Sequence, residues 1–166
     1  MGFLRRNISR CTSVVKQQAY ISLVRSQLEY ASVIWDPYRQ NQIDQLEKIQ
    51  RRAVRFINGN YQRDVSVTRM REDLQLQLLE ERRRQARLTM FYKAIHQQIA
   101  IPIPDYIQPR RRPTRQHGNN RFMRLSSSSD SYKNSFFSRT LRDWDALPQV
   151  TIELPTVAQF KGAISA

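Results

Sequence analysis

Carboxylates are the residues that catalysis would need first in this chain, and their spacing does not suit it. Two-metal phosphoryl or nucleotidyl transfer requires carboxylates that converge on one pair of ions. Asp143 and Asp145 flank Trp144 in a predicted helix, where residues two apart face different directions. The neighbouring pairs Glu72-Asp73 and Glu80-Glu81 meet the same obstacle. The sequence therefore predicts no catalytic residues.

Metal and thiol chemistry also lack the residues that they would need. His96 and His117 have no ligand partners at zinc spacing, and Cys11 has no histidine near it in the sequence. A single cysteine allows no disulfide within these 166 residues, and a buried structural thiol is the simpler interpretation of Cys11. We therefore expect no metal site and no cofactor.

Arginine dominates the charge of the chain. The 28 basic residues outnumber 14 acidic ones, which gives a formal net charge of +14, and all but five of the 28 are arginine. Neutralising phosphates releases condensed counterions, so this balance indicates a polyanionic partner, with a solubilising surface as the alternative. The guanidinium group also binds phosphate through two parallel hydrogen bonds and stacks on bases. An arginine-biased codon usage would explain the same preference.

The densest basic cluster is predicted on a helix over residues 78–98. It comprises Arg82, Arg83, Arg84 and Arg87, of which the last three lie on adjacent helix faces. Side chains placed in this way would follow a phosphate backbone. The alternative is a solvated face that is paired with the two glutamates just before the cluster.

Two further groups of cations are candidates for the same contact. Arg51, Arg52 and Arg55 are predicted to point away from the apolar stripe of a helix over 41–58, or to cap the end of that helix as cations. A third group would clamp RNA or DNA on binding, or would act as a nuclear localisation signal. It consists of Arg110, Arg111, Arg112, Arg115, His117, Arg121 and Arg124.

Aromatic residues interleave with these arginines. Trp35 and Trp144 lie on apolar helix stripes and are predicted to belong to the core. Tyr106 and Phe122 lie in a proline-rich segment and are the better candidates for stacking on bases.

Apolar residues recur at helical spacing along most of the chain, which predicts an all-α fold. Helices are expected over 12–35, 41–58, 66–74 and 78–98, followed by two short ones, the first with a stripe ending before Pro148 and the second beginning at Thr156. Four prolines and a serine tract mark 101–134 as a basic flexible linker. The predicted organisation is a helical bundle over 1–100, the linker, and a short C-terminal helical segment over 135–166.

Nothing in the sequence indicates a membrane. No apolar run approaches the roughly 18 residues of a membrane span, and the first residues lack the apolar core of a signal peptide. We therefore expect an intracellular protein, in the nucleus or the cytoplasm.

Several blocks together resemble the region that follows the polymerase core in reverse transcriptases of non-LTR, LINE-like (jockey-type) retrotransposons. The blocks are 2–7 (GFLRRN), 28–38 (LEYASVIWDPY), 46–53 (LEKIQRRA) with 55–56 (RF), 80–88 (EERRRQARL), 132–140 (YKNSFFSRT), 142–144 (RDW) and 147–148 (LP). Residues 75–79 (QLQLL) depart from the Gly-Trp-Pro-Ser-Leu turn that often precedes the basic helix in this family.

The resemblance implies a C-terminal fragment of an RNA-directed DNA polymerase, with a thumb-like bundle over residues 1–100. Its catalytic aspartates would belong to an upstream palm, so the chain by itself would not be an enzyme. The implied partner is template RNA or an RNA–DNA duplex, with DNA also possible, held by the arginine-rich helices. The alternatives are a decayed transposon remnant and a helical protein-interaction module with no specific nucleic-acid role.

Overall fold

The computed structural model describes residues 1–62, 64–110, 121–123, 125–126 and 129–165. Within these residues the chain is predominantly helical and contains no strand, apart from one isolated antiparallel bridge between Pro109 and Phe122. The predicted all-α fold is confirmed. Of the predicted basic tract, Arg111, Arg112, Arg115, His117 and Arg124 lie outside the described residues.

The helices differ widely in length. A π-helical turn at Ile21–Arg25 joins the second helix to the third. In chain order the helices are α1 (Gly2–Asn7), α2 (Ser13–Tyr20), α3 (Ser26–Glu29), α4 (Ser32–Trp35), α5 (Gln40–Asn58), α6 (Val67–Asp73), α7 (Leu79–Ile95), α8 (Asp130–Lys133), α9 (Phe136–Asp145), α10 (Gln149–Ile152) and α11 (Val157–Ser165).

Helices with a clear apolar stripe and a capping residue begin and end close to their predicted bounds. Gly59 ends α5 in the left-handed conformation, with φ of 65°. The Ser66 hydroxyl accepts a hydrogen bond from the Arg69 amide at the start of α6. The Thr156 hydroxyl accepts one from the Gln159 amide at the start of α11, 3.2 Å away.

The single long helix predicted over 12–35 is instead interrupted twice. The π-helical turn inserts one extra residue and so rotates the residues that follow about the helix axis. The helix then ends at Glu29, and Ala31 adopts a left-handed conformation, with φ of 49°, before α4 begins. Because both breaks shift the apolar stripe, Trp35 is 41% exposed, and its predicted place in the core is wrong.

The chain divides into two compact units, Met1–Arg83 and Arg84–Ala166, called here the first and second unit. The division falls inside α7, whereas the predicted boundaries lie near residues 100 and 134. The reason lies in the apolar side chains of α7: Leu88, Phe91 and Tyr92 all belong to the core of the second unit.

The core of the first unit forms around α5. The α5 side chains of Ala53, Val54 and Ile57 are buried together with Tyr20 from α2 and Met70 from α6. The amphipathic pattern of α5 produces this arrangement, because its apolar residues recur every three or four positions on one face. The opposite face of α5 is left for solvent.

Aromatic rings fill the core of the second unit. The ring of Phe91 packs edge-on against Trp144, with centroids 5.2 Å apart, and Tyr92 stacks on Phe160 at 4.5 Å. The predicted burial of Trp144 is confirmed. Phe122, a predicted stacking residue, is instead buried and lies edge-on to Phe91. The described part of the predicted linker therefore contributes to this core.

Candidate nucleic-acid interface

Arg83, in the middle of the predicted basic cluster, is a core residue. Its side chain is 1% exposed, and its Nε donates a hydrogen bond to Oδ1 of Asp36, 2.7 Å away, whose side chain is 4% exposed. Burial lowers the pKa of Arg83, and the nearby carboxylates of Glu47 and Glu80 act in the opposite direction. A guanidinium in this position holds the fold together and cannot reach a phosphate in solvent.

Arg82 forms a second ion pair within the first unit. Its guanidinium binds the Glu29 carboxylate through two nitrogens, with Nη2 lying 2.9 Å from Oε2. This hydrogen bonding raises the pKa of Arg82. Arg25, one turn before Glu29, lies 3.6 Å from the same carboxylate. Arg82 thus ties α7 to the end of α3.

Arg87 is the corresponding buried cation of the second unit. Its Nη2 donates to Oδ2 of Asp143 at 2.6 Å, and its side chain is 5% exposed. Burial lowers the pKa of Arg87, as does the neighbouring charge of Arg139.

Arg84, the fourth member of the predicted cluster, is half-buried and interacts with other residues of the protein. The continuous phosphate-binding surface predicted on α7 is therefore not present, since Arg83 and Arg87 are buried.

Two arginines of the predicted linker that the structure describes, Arg110 and Arg121, also bind other groups of the protein. Arg110 donates from Nη2 to Asp145 at 2.9 Å and from Nε to the carbonyl of Phe122. Arg121 is 5% exposed and donates to the carbonyls of Trp144, Asp145 and Leu147 at the end of α9. Trp144 and Asp145 are the last two residues of α9, so the hydrogen bonds from the Arg121 guanidinium to their carbonyls cap the C-terminal end of this helix. Sequence reasoning missed this role because the cap comes from a distant segment.

The cations of α5 face solvent. Lys48, Arg51 and Arg52 are exposed and Arg55 is half-buried, and their spacing of three, four and seven residues places them on one side of the helix. We call these four residues the basic stripe. It confirms the predicted orientation of Arg51, Arg52 and Arg55, away from the apolar face of α5.

No carboxylate of the described residues forms an ion pair with the basic stripe. The two acidic residues of α5 that helical spacing pairs with the stripe are engaged elsewhere. Asp44 accepts a hydrogen bond from Gln40, and buried Glu47 accepts one from the Glu80 amide, 2.9 Å away at the start of α7. Two stripe cations donate instead to backbone carbonyls, Arg51 to that of Asp44 and Arg55 to that of Gln62. Their charge therefore remains available to an anion.

A cleft of about 230 Å³ opens beside the basic stripe. Arg51 and Arg71 line it together with the apolar side chains of Val54, Val67 and Leu78. The Nε of Arg71 is buried and has no hydrogen-bond partner among the described residues. The Nη2 of Arg71 pairs with the Glu72 carboxylate at 3.3 Å, and Glu47 also lines the cleft, so the cleft itself adds no unpaired cation to the stripe.

The carboxylates that sequence reasoning rejected as catalytic are held by arginines: Asp143 by Arg87 and Asp145 by Arg110. Among the described residues, no three His, Cys, Asp or Glu side chains are grouped so that they could hold a metal ion. In the same residues, no helix has the length and apolar character needed to cross a membrane.

Sequence reasoning also missed an exposed aromatic surface in the first unit. Tyr30, Ile34, Trp35 and Tyr38, called here the aromatic patch, are all large and at least one-third exposed. The break before α4 exposes these side chains, and the apolar spacing of the sequence gives no sign of that break.

Comparison of the chain with protein-family models, curated proteins and solved structures gave no match.

Proposed function

We propose that this chain binds the phosphate backbone of RNA or of an RNA–DNA duplex through the basic stripe of α5, as a thumb-like accessory segment of a non-LTR retrotransposon reverse transcriptase. The observation that carries the proposal is the set of four cations on one helix face without a carboxylate partner among the described residues. The family assignment rests on the sequence blocks described above.

The basic stripe has the dimensions of a backbone contact. Lys48 and Arg55 are seven residues apart, which corresponds to about 10 Å along a helix. Cations at this spacing reach successive phosphates of a strand and hold them without reading bases.

The first experiment removes charge from the basic stripe without disturbing the core. The variant Lys48→Gln, Arg51→Gln, Arg52→Gln changes three exposed side chains. Binding to a fluorescent RNA hairpin, an RNA–DNA hybrid and single-stranded DNA is measured at several salt concentrations. We expect weaker binding and a salt slope of log K that is flatter by roughly 0.7 to 0.9 for each phosphate that the variant no longer neutralises.

A matched control removes the same charge elsewhere in the first unit. Arg6, Arg10 and Arg69 are exposed, and their replacement by glutamine also lowers the net charge by three. If this control weakens binding as much as the stripe variant does, the net charge alone drives association and the stripe is not the site. Changing the α7 arginines together would not be informative, because burial of Arg83 and Arg87 makes unfolding the expected result.

A further inference from the structure

The aromatic patch is unusual because its side chains are large, adjacent and exposed. Tyr30 is 80% exposed and Ile34 86%, while Trp35 and Tyr38 are 41% and 36% exposed. Single exposed apolar residues are ordinary on protein surfaces, but several within nine residues indicate a contact surface. All four belong to the first unit.

The local structure holds the patch in place. The Trp35 indole donates a hydrogen bond from Nε1 to the Tyr30 carbonyl at 2.7 Å, which orients the ring. Ala31 caps the start of α4 in the left-handed conformation, and its carbonyl accepts a hydrogen bond from the Ile34 amide in the first turn of that helix. Next to Trp35, Asp36 is anchored in the interior by Arg83. The rings are therefore presented by a fixed turn that requires little ordering when a ligand binds.

We propose that the aromatic patch stacks the unpaired bases of single-stranded RNA or DNA. Three of its four side chains are aromatic, and aromatic rings of this kind stack on the flat faces of unpaired bases. Tyr38 lies 5.8 Å from the guanidinium of Arg39, which places a cation beside the rings. A polyanion that carries planar rings matches both the charge and the shape of this surface.

The inference rests on the proposed function, because the basic stripe would hold the backbone whose bases the patch receives. Arg39 immediately precedes α5, and Lys48 begins the stripe nine residues later, which is about 13 Å along the helix. A junction between duplex and single strand would engage both surfaces. The proposal thus assigns duplex binding to the stripe and single-strand preference to the patch.

Tryptophan fluorescence provides a direct test, because the two tryptophans of the chain differ in exposure. Trp144 is 1% exposed in the core of the second unit, so quenching by a stacked base reports on Trp35. Titration of the full chain with oligouridylate should quench this fluorescence, and an RNA hairpin without unpaired ends should quench it less. The variant Trp35→Phe removes this reporter, so it should lose the quenching, and quenching that persists in the variant would show that the signal does not come from the patch.

Affinity measurements separate stacking from charge. The variant Tyr30→Ala, Trp35→Ala should bind oligouridylate at least roughly five-fold more weakly with an unchanged salt slope, since the same cations still neutralise the same phosphates. Tyr132→Ala, which removes an exposed tyrosine of the second unit, should leave binding unchanged. Circular dichroism of each variant checks that the helices persist.

The possible outcomes separate this inference from the function on which it rests. If the patch variant binds oligouridylate as the parent does, while the stripe variant binds weakly, the stacking proposal fails and the proposed function stands. If the parent shows no salt-dependent binding to any nucleic acid, both fail. If Trp35 fluorescence responds to protein concentration alone, the patch is a self-association surface and the stacking proposal is overturned.

Discussion

Arg83 and Asp36 form an ion pair from which solvent is almost excluded. The Nη1 and Nη2 atoms of Arg83 have no hydrogen-bond partner among the described residues. The hydrogen bond from Nε to Asp36 is therefore the main interaction that offsets the cost of burying this charge. Transferring a guanidinium from water into a protein interior is costly, and a carboxylate at hydrogen-bond distance recovers only part of that cost. The consequence is a site where removal of either partner is strongly destabilising.

Replacing Asp36 by asparagine tests this dependence. The change keeps the shape of the side chain but leaves the buried charge of Arg83 without its carboxylate, and we expect the free energy of unfolding to fall by about 3 kcal/mol or more. Urea denaturation followed by circular dichroism measures the decrease. Asp44→Asn, on the exposed face of α5, is the matched control and should change stability by less than about 0.5 kcal/mol. Equal effects of the two changes would contradict the assignment of Arg83 to the core.

At the scale of elements, features that depend on neighbouring residues could be predicted from the sequence, whereas features that depend on residues far apart in the chain could not. The bounds of α5 and α11 were predictable because a periodic stripe and a local cap determine them. The break after Glu29 was not, because the π-helical turn and the left-handed Ala31 leave no mark in the apolar spacing. The burial of Arg83 and Arg87 was not predictable either, since their carboxylate partners lie 47 and 56 residues away.

Two glycines, one just after the end of α5 and one inside α11, should respond to alanine in opposite directions. A Cβ added to either Gly59 or Gly162 would meet no atom within 4 Å, so only the backbone decides the outcome. Gly59 ends α5 with φ of 65°, and Gly59→Ala should cost roughly 1 kcal/mol because this region is unfavourable for residues with a side chain. Gly162 lies inside α11, and Gly162→Ala should stabilise the protein by about 0.5–1 kcal/mol.

Calorimetry of the two single variants measures these shifts directly. The pair is informative because both substitutions add the same methyl group in open space. Shifts of the same sign would mean that side-chain contacts decide the effect at one of the two positions, contrary to the backbone argument.

At the scale of the whole molecule, the net charge of +14 divides into two populations. Buried or half-buried arginines, among them Arg82, Arg83 and Arg87, bind carboxylates and stabilise their units. The basic stripe, with three exposed cations and the half-buried Arg55, has no such partner among the described residues. The formal charge therefore overstates what a polyanion can use, and the position of the unpaired cations becomes the more informative quantity.

This division predicts where a bound nucleic acid will protect the chain. A ligand that binds only the folded state at a hundred times its Kd adds about 2.7 kcal/mol of stability. Because the basic stripe and the aromatic patch both lie in Met1–Arg83, a duplex with a single-stranded extension should slow amide hydrogen exchange in this unit, most strongly in α4 and α5. Exchange from the core helix α9 of the second unit should change little. Protection confined to residues 84–165 would place the interface on the second unit and contradict the assignment to α5. The expected pattern would instead support binding of the nucleic acid by Lys48, Arg51 and Arg52, the exposed cations of the basic stripe.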